Sequence, residues 1–135
     1  MTMNVDRMIA KLEQCLEDMR QMRLEIERLE TKAKGLGGSG HEHGSKAPRP
    51  DRMENAAIEI DLEKDRQAYR RREIYLFRQQ ALAIIWSLED HAQAYVLDLY
   101  YVRGMTTRQI AEDIGMSKSW VEEKKQSGLR RLARL

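Results

Sequence analysis

Apolar residues recur in steps of three and four over residues 1–34, which is the spacing of an amphipathic helix. The stripe keeps an a/d heptad rhythm for about four heptads (Val5, Met8, Leu12, Cys15, Met19, Met22, Ile26, Leu29 and Ala33). A repeat held this long predicts a coiled-coil seam. Two partners for the seam stay open, either a helix of the same chain or a second copy in a homodimer.

A second long helix is predicted over residues 51–86. We expect its core-facing stripe to contain the apolar residues that share one helix face (Ile58, Leu62, Tyr69, Leu76, Ala83 and Trp86). A helix, a linker and a helix in succession favour an antiparallel hairpin for residues 1–86.

The linker between the two helices spans residues 35–50. It contains five of the eight glycines and both prolines, so neither a helix nor a strand is expected to run through it. His41 and His43 form an H-x-H pair, but no cysteine or second histidine pair accompanies them. We therefore interpret them as solvated loop histidines and expect no metal site and no cofactor.

Residues 87–135 have clear helix signals and form the second predicted domain. Ser87 is expected to cap a helix with Asp90 near its third position, and Ala94, Val96, Leu97 and Tyr100 or Tyr101 supply the apolar face. Gly104 is expected to end this helix in the left-handed conformation.

Two shorter helices follow. Thr106 and Gln109 form a T-x-x-Q capping box at the start of the first, which contains Ile110, Ala111 and Ile114. A tight turn at Gly115-Met116-Ser117 then leads to a helix from Lys118 onward, with Ser117 as its cap and Val121, Leu129 and Leu132 facing inward. Small and apolar residues at these spacings predict a helix-turn-helix.

The fold class predicted from these elements is all-α, a long helical hairpin followed by a C-terminal helix-turn-helix domain. Charged residues make up 34% of the chain and aromatic residues 6%, which indicates a thin core. The single cysteine, Cys15, excludes an internal disulfide. Charges at Asp6, Arg7 and Lys11 interrupt any signal-peptide pattern, and no apolar run approaches the ~20 residues of a membrane span. We expect a cytoplasmic protein that makes no contact with a membrane.

Charge is unevenly distributed although the net charge is only +2. Residues 103–135 contain eight basic and four acidic side chains, whereas residues 88–102 contain three acidic and no basic ones. The basic C-terminal end is therefore where we expect a polyanion to bind.

The run from Thr106 to Leu132 (TTRQIAEDIGMSKSWVEEKKQSGLRRL) resembles region four of bacterial sigma factors. The preceding phrase Tyr101-Val-Arg-Gly104 is similar to the end of that domain's opening helix. The whole arrangement resembles small sigma-like proteins of phages and prophages, in which a helical hairpin with a Gly-rich loop precedes such a domain. The resemblance implies double-stranded DNA as a partner and RNA polymerase as a further one.

Candidate DNA-binding residues follow from matching that pattern to this chain. The base-edge candidates are Lys118, Ser119, Glu122, Glu123 and Gln126, and the phosphate candidates are Arg108, Lys125 and Arg130. Trp120 is expected to pack inside the protein. Glu122 and Glu123 stand where the family usually has Arg or Gln, and Gly128 is expected to weaken the last helix by up to ~1 kcal/mol relative to Ala.

The function predicted from these observations is a sequence-specific, sigma-like DNA-binding transcription regulator of phage or prophage origin. Two alternatives stay open: a small terminase subunit, which combines a helix-turn-helix with coiled-coil helices in large rings, and an interaction protein that binds polymerase or a sigma factor. An enzyme is not expected, since the sequence has no nucleophile beside a base, no phosphate loop and no paired metal ligands, and so no catalytic residue is assigned.

Overall fold

A computed structural model describes residues 4–36 and 50–135, which form helices joined by short turns and contain no strand. It contains α1 (Val5–Leu36), α2 (Pro50–Ile85), α3 (His91–Leu97), α4 (Thr107–Ile114) and α5 (Lys118–Ala133), with a π-helical segment (Asp98–Val102) directly after α3. The predicted all-α class is confirmed. His41 and His43 lie outside the described residues.

The chain divides into two compact units. One is Asp18–Glu73, and the other combines the described residues up to Glu17 with Ile74–Leu135. Both long helices contribute a segment to each unit.

In the unit Asp18–Glu73, segments of α1 and α2 pack antiparallel. The amide of Gln67 donates from Nε2 to the carbonyl oxygen of Met22 at 3.1 Å, and Nε of Arg70 donates to a carboxylate oxygen of Asp18 at 3.0 Å. Gln67 is 5% exposed, so its hydrogen bond offsets the cost of burying a polar amide. These contacts fix the register of the two segments.

The apolar stripe predicted for the core on α2 is exposed instead, and that prediction was wrong. The exposed fractions are 49% for Ile58, 54% for Leu62, 73% for Tyr69, 49% for Leu76 and 40% for Trp86, and Ala83 is exposed as well. The buried positions of α2 are Ala56, Gln67, Ile74, Phe77, Ala81 and Ile85. The buried stripe includes polar residues that bond across to α1, so a prediction based on hydrophobicity selects the wrong face.

Four of the nine residues of the α1 heptad seam are buried within the same chain, and the other five are half-buried. Met8, Leu12 and Cys15 are at most 2% exposed in one unit, and Leu29 is 4% exposed in the other. Of the two partners that the sequence left open, the structure therefore favours the same chain for this seam.

The start of α3 differs from the prediction. Asp90, rather than Ser87, is the N-cap, and its carboxylate accepts from the backbone N–H of Ala92 at 2.9 Å and of Gln93 at 3.3 Å. Ser87 lies in the turn after α2, where its hydroxyl donates to the carbonyl of Ile84 at 2.5 Å. Both Ser87 and Asp90 are good capping residues. Because α2 extends to Ile85, Ser87 belongs to the turn that ends α2, and Asp90 is left to begin α3.

Two hydrogen bonds join the π-helical segment to α2 and to the residue that follows it. Nη2 of Arg78 donates to the carbonyl of Val102 at 2.8 Å, and Nε1 of Trp86 donates to Asp98 at 3.0 Å. Gly104 ends the segment at φ +74°, as predicted, and a Cβ built there would lie 3.1 Å from Cδ2 of Leu16. Glycine therefore meets both a conformational and a steric requirement at this position.

Candidate nucleic-acid interface

Helix α4 begins with the predicted capping box. The Thr106 hydroxyl accepts from the backbone N–H of Gln109 at 3.1 Å, and the Gln109 side chain accepts from the backbone N–H of Thr106 at 2.9 Å. The local sequence alone fixes this start, because all four groups lie within one helical turn.

A turn of three residues joins α4 to α5. Gly115 adopts φ +71°, and the N–H of Met116 donates to the carbonyl of Ala111 at 3.1 Å. Ser117 then caps α5 by accepting from the N–H of Trp120 at 3.1 Å. The predicted positions of the turn and of the second cap are confirmed.

One side of α5 packs into the domain. Its buried positions are Val121, Lys125, Gly128 and Leu132. Val121 is fully buried and joins a core cluster with Val96, Leu99, Ile110 and Ala111. Leu129, which was expected to face inward, is half-buried.

Gly128 allows α5 to approach α3 closely. A Cβ at this position would lie 3.0 Å from Cδ1 of Leu97 and 3.2 Å from Cβ of Gln93. Glycine therefore lowers the helix propensity of α5 but permits its close contact with α3.

The opposite side of α5 presents a continuous polar face. Ser119, Glu123, Gln126 and Arg130 are all exposed and recur in steps of four, three and four. Lys118 is exposed at the first turn beside this face. Three of the five predicted base-edge candidates (Ser119, Glu123 and Gln126), together with Arg130, therefore share one accessible surface, which we call the outer face of α5.

Glu122 lies to the side of the outer face and joins α5 to α4. Its carboxylate accepts from the hydroxyl of Thr107 at 2.9 Å and pairs with the ammonium of Lys125 at 3.3 Å. The hydrogen bond from Thr107, with a smaller contribution from Lys125, lowers the pKa of Glu122 below its ordinary value. Glu122 is thus held by two neighbours, whereas Glu123 has no ion pair among the described residues.

Lys125 points into the domain. It is 9% exposed, and its ammonium lies 4.1 Å from the centroid of the Tyr100 ring, in a cation–π contact. The structure therefore places this phosphate candidate between Tyr100 and Glu122, away from the outer face.

A second polar link joins α5 to the start of α3. The ammonium of Lys124 donates to the capping carboxylate of Asp90 at 3.0 Å, and the same ammonium lies 5.8 Å from the ring centroid of half-buried Trp120. This hydrogen bond, followed by those from the N–H groups of Gln93 and Ala92, lowers the pKa of Asp90. No local sequence pattern predicts this link, since the two residues lie 34 positions apart.

Arg108 extends from the surface of α4 and pairs with Glu112 at 3.3 Å. Both side chains are at least 70% exposed, so this pair contributes little to stability and is readily rearranged. A shallow groove of about 290 Å³ lies beside them at the turn, lined by Arg108, Ala111, Glu112, Gly115, Met116 and Lys118.

Exposed cations continue to the end of α5. Arg130, Arg131 and Arg134 are exposed and form no ion pair in the described part of the chain, and the same holds for Lys118. Arg131 and Arg134 were not among the candidates chosen from the sequence. The sequence feature that points to these two arginines is the excess of basic residues over residues 103–135. That excess does not identify individual side chains.

Other kinds of site find no support in the described residues. They contain no group of three or more metal-ligating side chains. No described helix is long and apolar enough to cross a membrane. Comparison with models of protein families, with curated proteins and with solved structures finds no match to this chain.

Proposed function

We propose that the protein is a sequence-specific double-stranded DNA-binding regulator of transcription, in which α4 and α5 act as a helix-turn-helix. The observation that carries this proposal is the outer face of α5. It is polar, accessible and directly opposite a buried stripe, on a helix that is held to α4 by Thr107–Glu122 and to α3 by Asp90–Lys124. An α-helix held in this way fits the major groove of B-DNA.

In this proposal the start of α5 reads bases. Ser119, Glu123 and Gln126 lie on the outer face, and Lys118 is exposed beside it at the first turn. Lysine and glutamine donate to acceptors on guanine and adenine, whereas a carboxylate accepts from the amino group of cytosine. Glu122 and Lys125 act as positioning residues, because they bond to each other and to neighbours inside the domain.

The phosphate contacts are assigned to exposed arginines. Arg130, Arg131 and Arg134 lie near the end of α5, where a helix leaves the groove, and Arg108 lies on α4. Most of the affinity is expected from such contacts, which carry no sequence information themselves. The resemblance to sigma region four supports promoter DNA as the target.

Selection from a random duplex library tests the proposal. The full chain is expected to enrich one motif, and Gln126→Ala is expected to change the preferred base at one position of that motif. Gln79→Ala is a matched control, since Gln79 is an exposed glutamine on α2. If the bound fraction has the same distribution of sequences as the input library, binding is not sequence-specific.

A further inference from the structure

A second surface of the protein has the periodicity of a packed helix face although it is exposed. In the unit Asp18–Glu73, α2 presents Ile58, Leu62 and Tyr69, which are 49%, 54% and 73% exposed. Leu62 and Tyr69 are seven residues apart and occupy the a positions of a heptad repeat. The d positions of the same repeat are Ile58, Asp65 and Arg72. We call these five residues the outer stripe of α2. Three of the five are large apolar side chains at least 49% exposed, and two are charged.

Charge is segregated along the same part of α2. Residues 52–65 contain five acidic and two basic side chains, whereas residues 66–73 contain four arginines and one glutamate. Asp61, Asp65 and Arg72 border or belong to the outer stripe, are exposed, and form no ion pair among the described residues. Two carboxylates toward one end of the stripe, Asp61 and Asp65, and one guanidinium at the other, Arg72, are therefore without an ion pair among the described residues.

We propose that the outer stripe of α2 binds the same stripe of a second copy of this chain in an antiparallel homodimer. Suppose that two copies of α2 pair antiparallel and that the two-fold axis crosses α2 at the height of residue 67. Leu62 of one copy then lies opposite Arg72 of the other, because each is five residues from that point. Arg72 then lies within one helical turn, ~5.4 Å along the axis, of both Asp61 and Asp65 of the other copy. Each contact occurs twice, as two-fold symmetry requires.

Charge complementarity selects this occupant and this direction. In a parallel pair in register, Asp65 would lie against Asp65 and Arg72 against Arg72, and such like-charge contacts are unfavourable at core positions. In the antiparallel pair, the acidic end of each stripe meets the basic end of the other. The stripe is thus complementary to itself, and the heptad seam of α1 is not needed for dimerisation.

The mass of the full chain in solution, from light scattering at tens of micromolar, tests the proposal. We expect twice the 15.9 kDa chain mass for the wild type. The double variant Leu62→Glu/Tyr69→Glu should be monomeric, or should raise the dimer dissociation constant at least about tenfold, with unchanged helical circular dichroism. Leu24→Glu is the matched control, because Leu24 is a 42% exposed leucine on α1 in the same unit, and it should remain dimeric.

Direction is tested separately by charge reversal and by a distance. Asp65→Arg and Arg72→Asp should each weaken the dimer, and the two changes together should restore it. A spin label at Asn55→Cys, in a Cys15→Ala background, should report about 36 Å between copies when they are antiparallel and about 10 Å when they are parallel.

Four results would overturn the proposal: a monomeric wild type, an assembly of eight or more chains, a dimer insensitive to Leu62→Glu/Tyr69→Glu, or a short label distance. None of these measurements involves DNA, so the dimer and the proposed DNA-binding function succeed or fail independently.

Discussion

Lys124 of α5 donates a hydrogen bond at 3.0 Å to Asp90, the residue that caps α3 through two backbone N–H groups. One carboxylate therefore starts one helix and holds another. The Asp90–Lys124 link holds α5 to the start of α3, and the Thr107–Glu122 hydrogen bond holds α5 to α4. Together they set the direction of the outer face.

Replacement of Asp90 should destabilise the unit that contains α3, α4 and α5. Asp90→Ala removes the cap and the ion pair and should lower the free energy of unfolding by about 1–2 kcal/mol, whereas Asp90→Asn keeps the cap and should lose less. Urea denaturation of the three proteins measures both losses. Equal stability of the wild type and Asp90→Ala would show that the cap contributes nothing.

The contribution of Asp90 should also depend on pH. Because the pKa of Asp90 is lower in the folded state than its ordinary value of 3.8, its ionised form stabilises the fold above about pH 4. That stabilisation should disappear as the pH falls through the lowered folded pKa. The stability difference between the wild type and Asp90→Asn should therefore shrink in acid, and a difference that is constant from pH 6 to pH 2 would contradict the assignment.

Val121→Asp should unfold the unit that contains α3, α4 and α5. Val121 of α5 is fully buried in a cluster with residues of α3, the π-helical segment and α4, where an unpaired carboxylate costs more than about 3 kcal/mol. Ser119→Asp, an exposed position on the same helix, is the control and should change stability by less than about 0.5 kcal/mol. Thermal melting followed by circular dichroism compares them, and similar melting of the two variants would mean that α5 packs through another face.

Gly128→Ala should destabilise the protein although alanine favours a helix by up to ~1 kcal/mol. The added methyl group meets Leu97 and Gln93 at 3.0–3.2 Å, and Cβ of Gln93 cannot move without the α3 backbone. We expect a net loss of about 1 kcal/mol from overpacking. Gln126→Ala, whose side chain is exposed, shows the effect of propensity without the contact. A more stable Gly128→Ala variant in urea denaturation would refute the close approach of α5 to α3.

Most features set by neighbouring residues were predicted correctly from the sequence, the Ser87 cap being the exception. The Thr106 capping box, the left-handed glycines at Gly104 and Gly115 and the Ser117 cap each depend on groups within about five residues. These local signals gave the positions of α4, the turn and α5.

Features set by contacts distant in sequence were missed. The buried face of α2 depends on Gln67 and Arg70, whose partners Met22 and Asp18 lie 45 and 52 residues away. Lys125 was predicted to be a phosphate contact, but its ammonium lies over the ring of Tyr100. A hydrophobic pattern cannot reveal a buried polar side chain, because its burial depends on a partner that the pattern does not contain.

The claim that α5 binds DNA through its outer face is tested most directly by salt titration of two variants on the selected duplex and on a scrambled one. Lys118→Ala should reduce the preference for the selected duplex by about 1–3 kcal/mol, since a base contact is lost. Arg130→Ala should weaken binding to both duplexes alike and lower the salt slope by about one unit, since a phosphate contact is lost. Arg52→Ala, at an exposed arginine of α2, should change neither. If both Lys118→Ala and Arg130→Ala bind the two duplexes as the wild type does at every salt concentration, α5 is not the recognition helix.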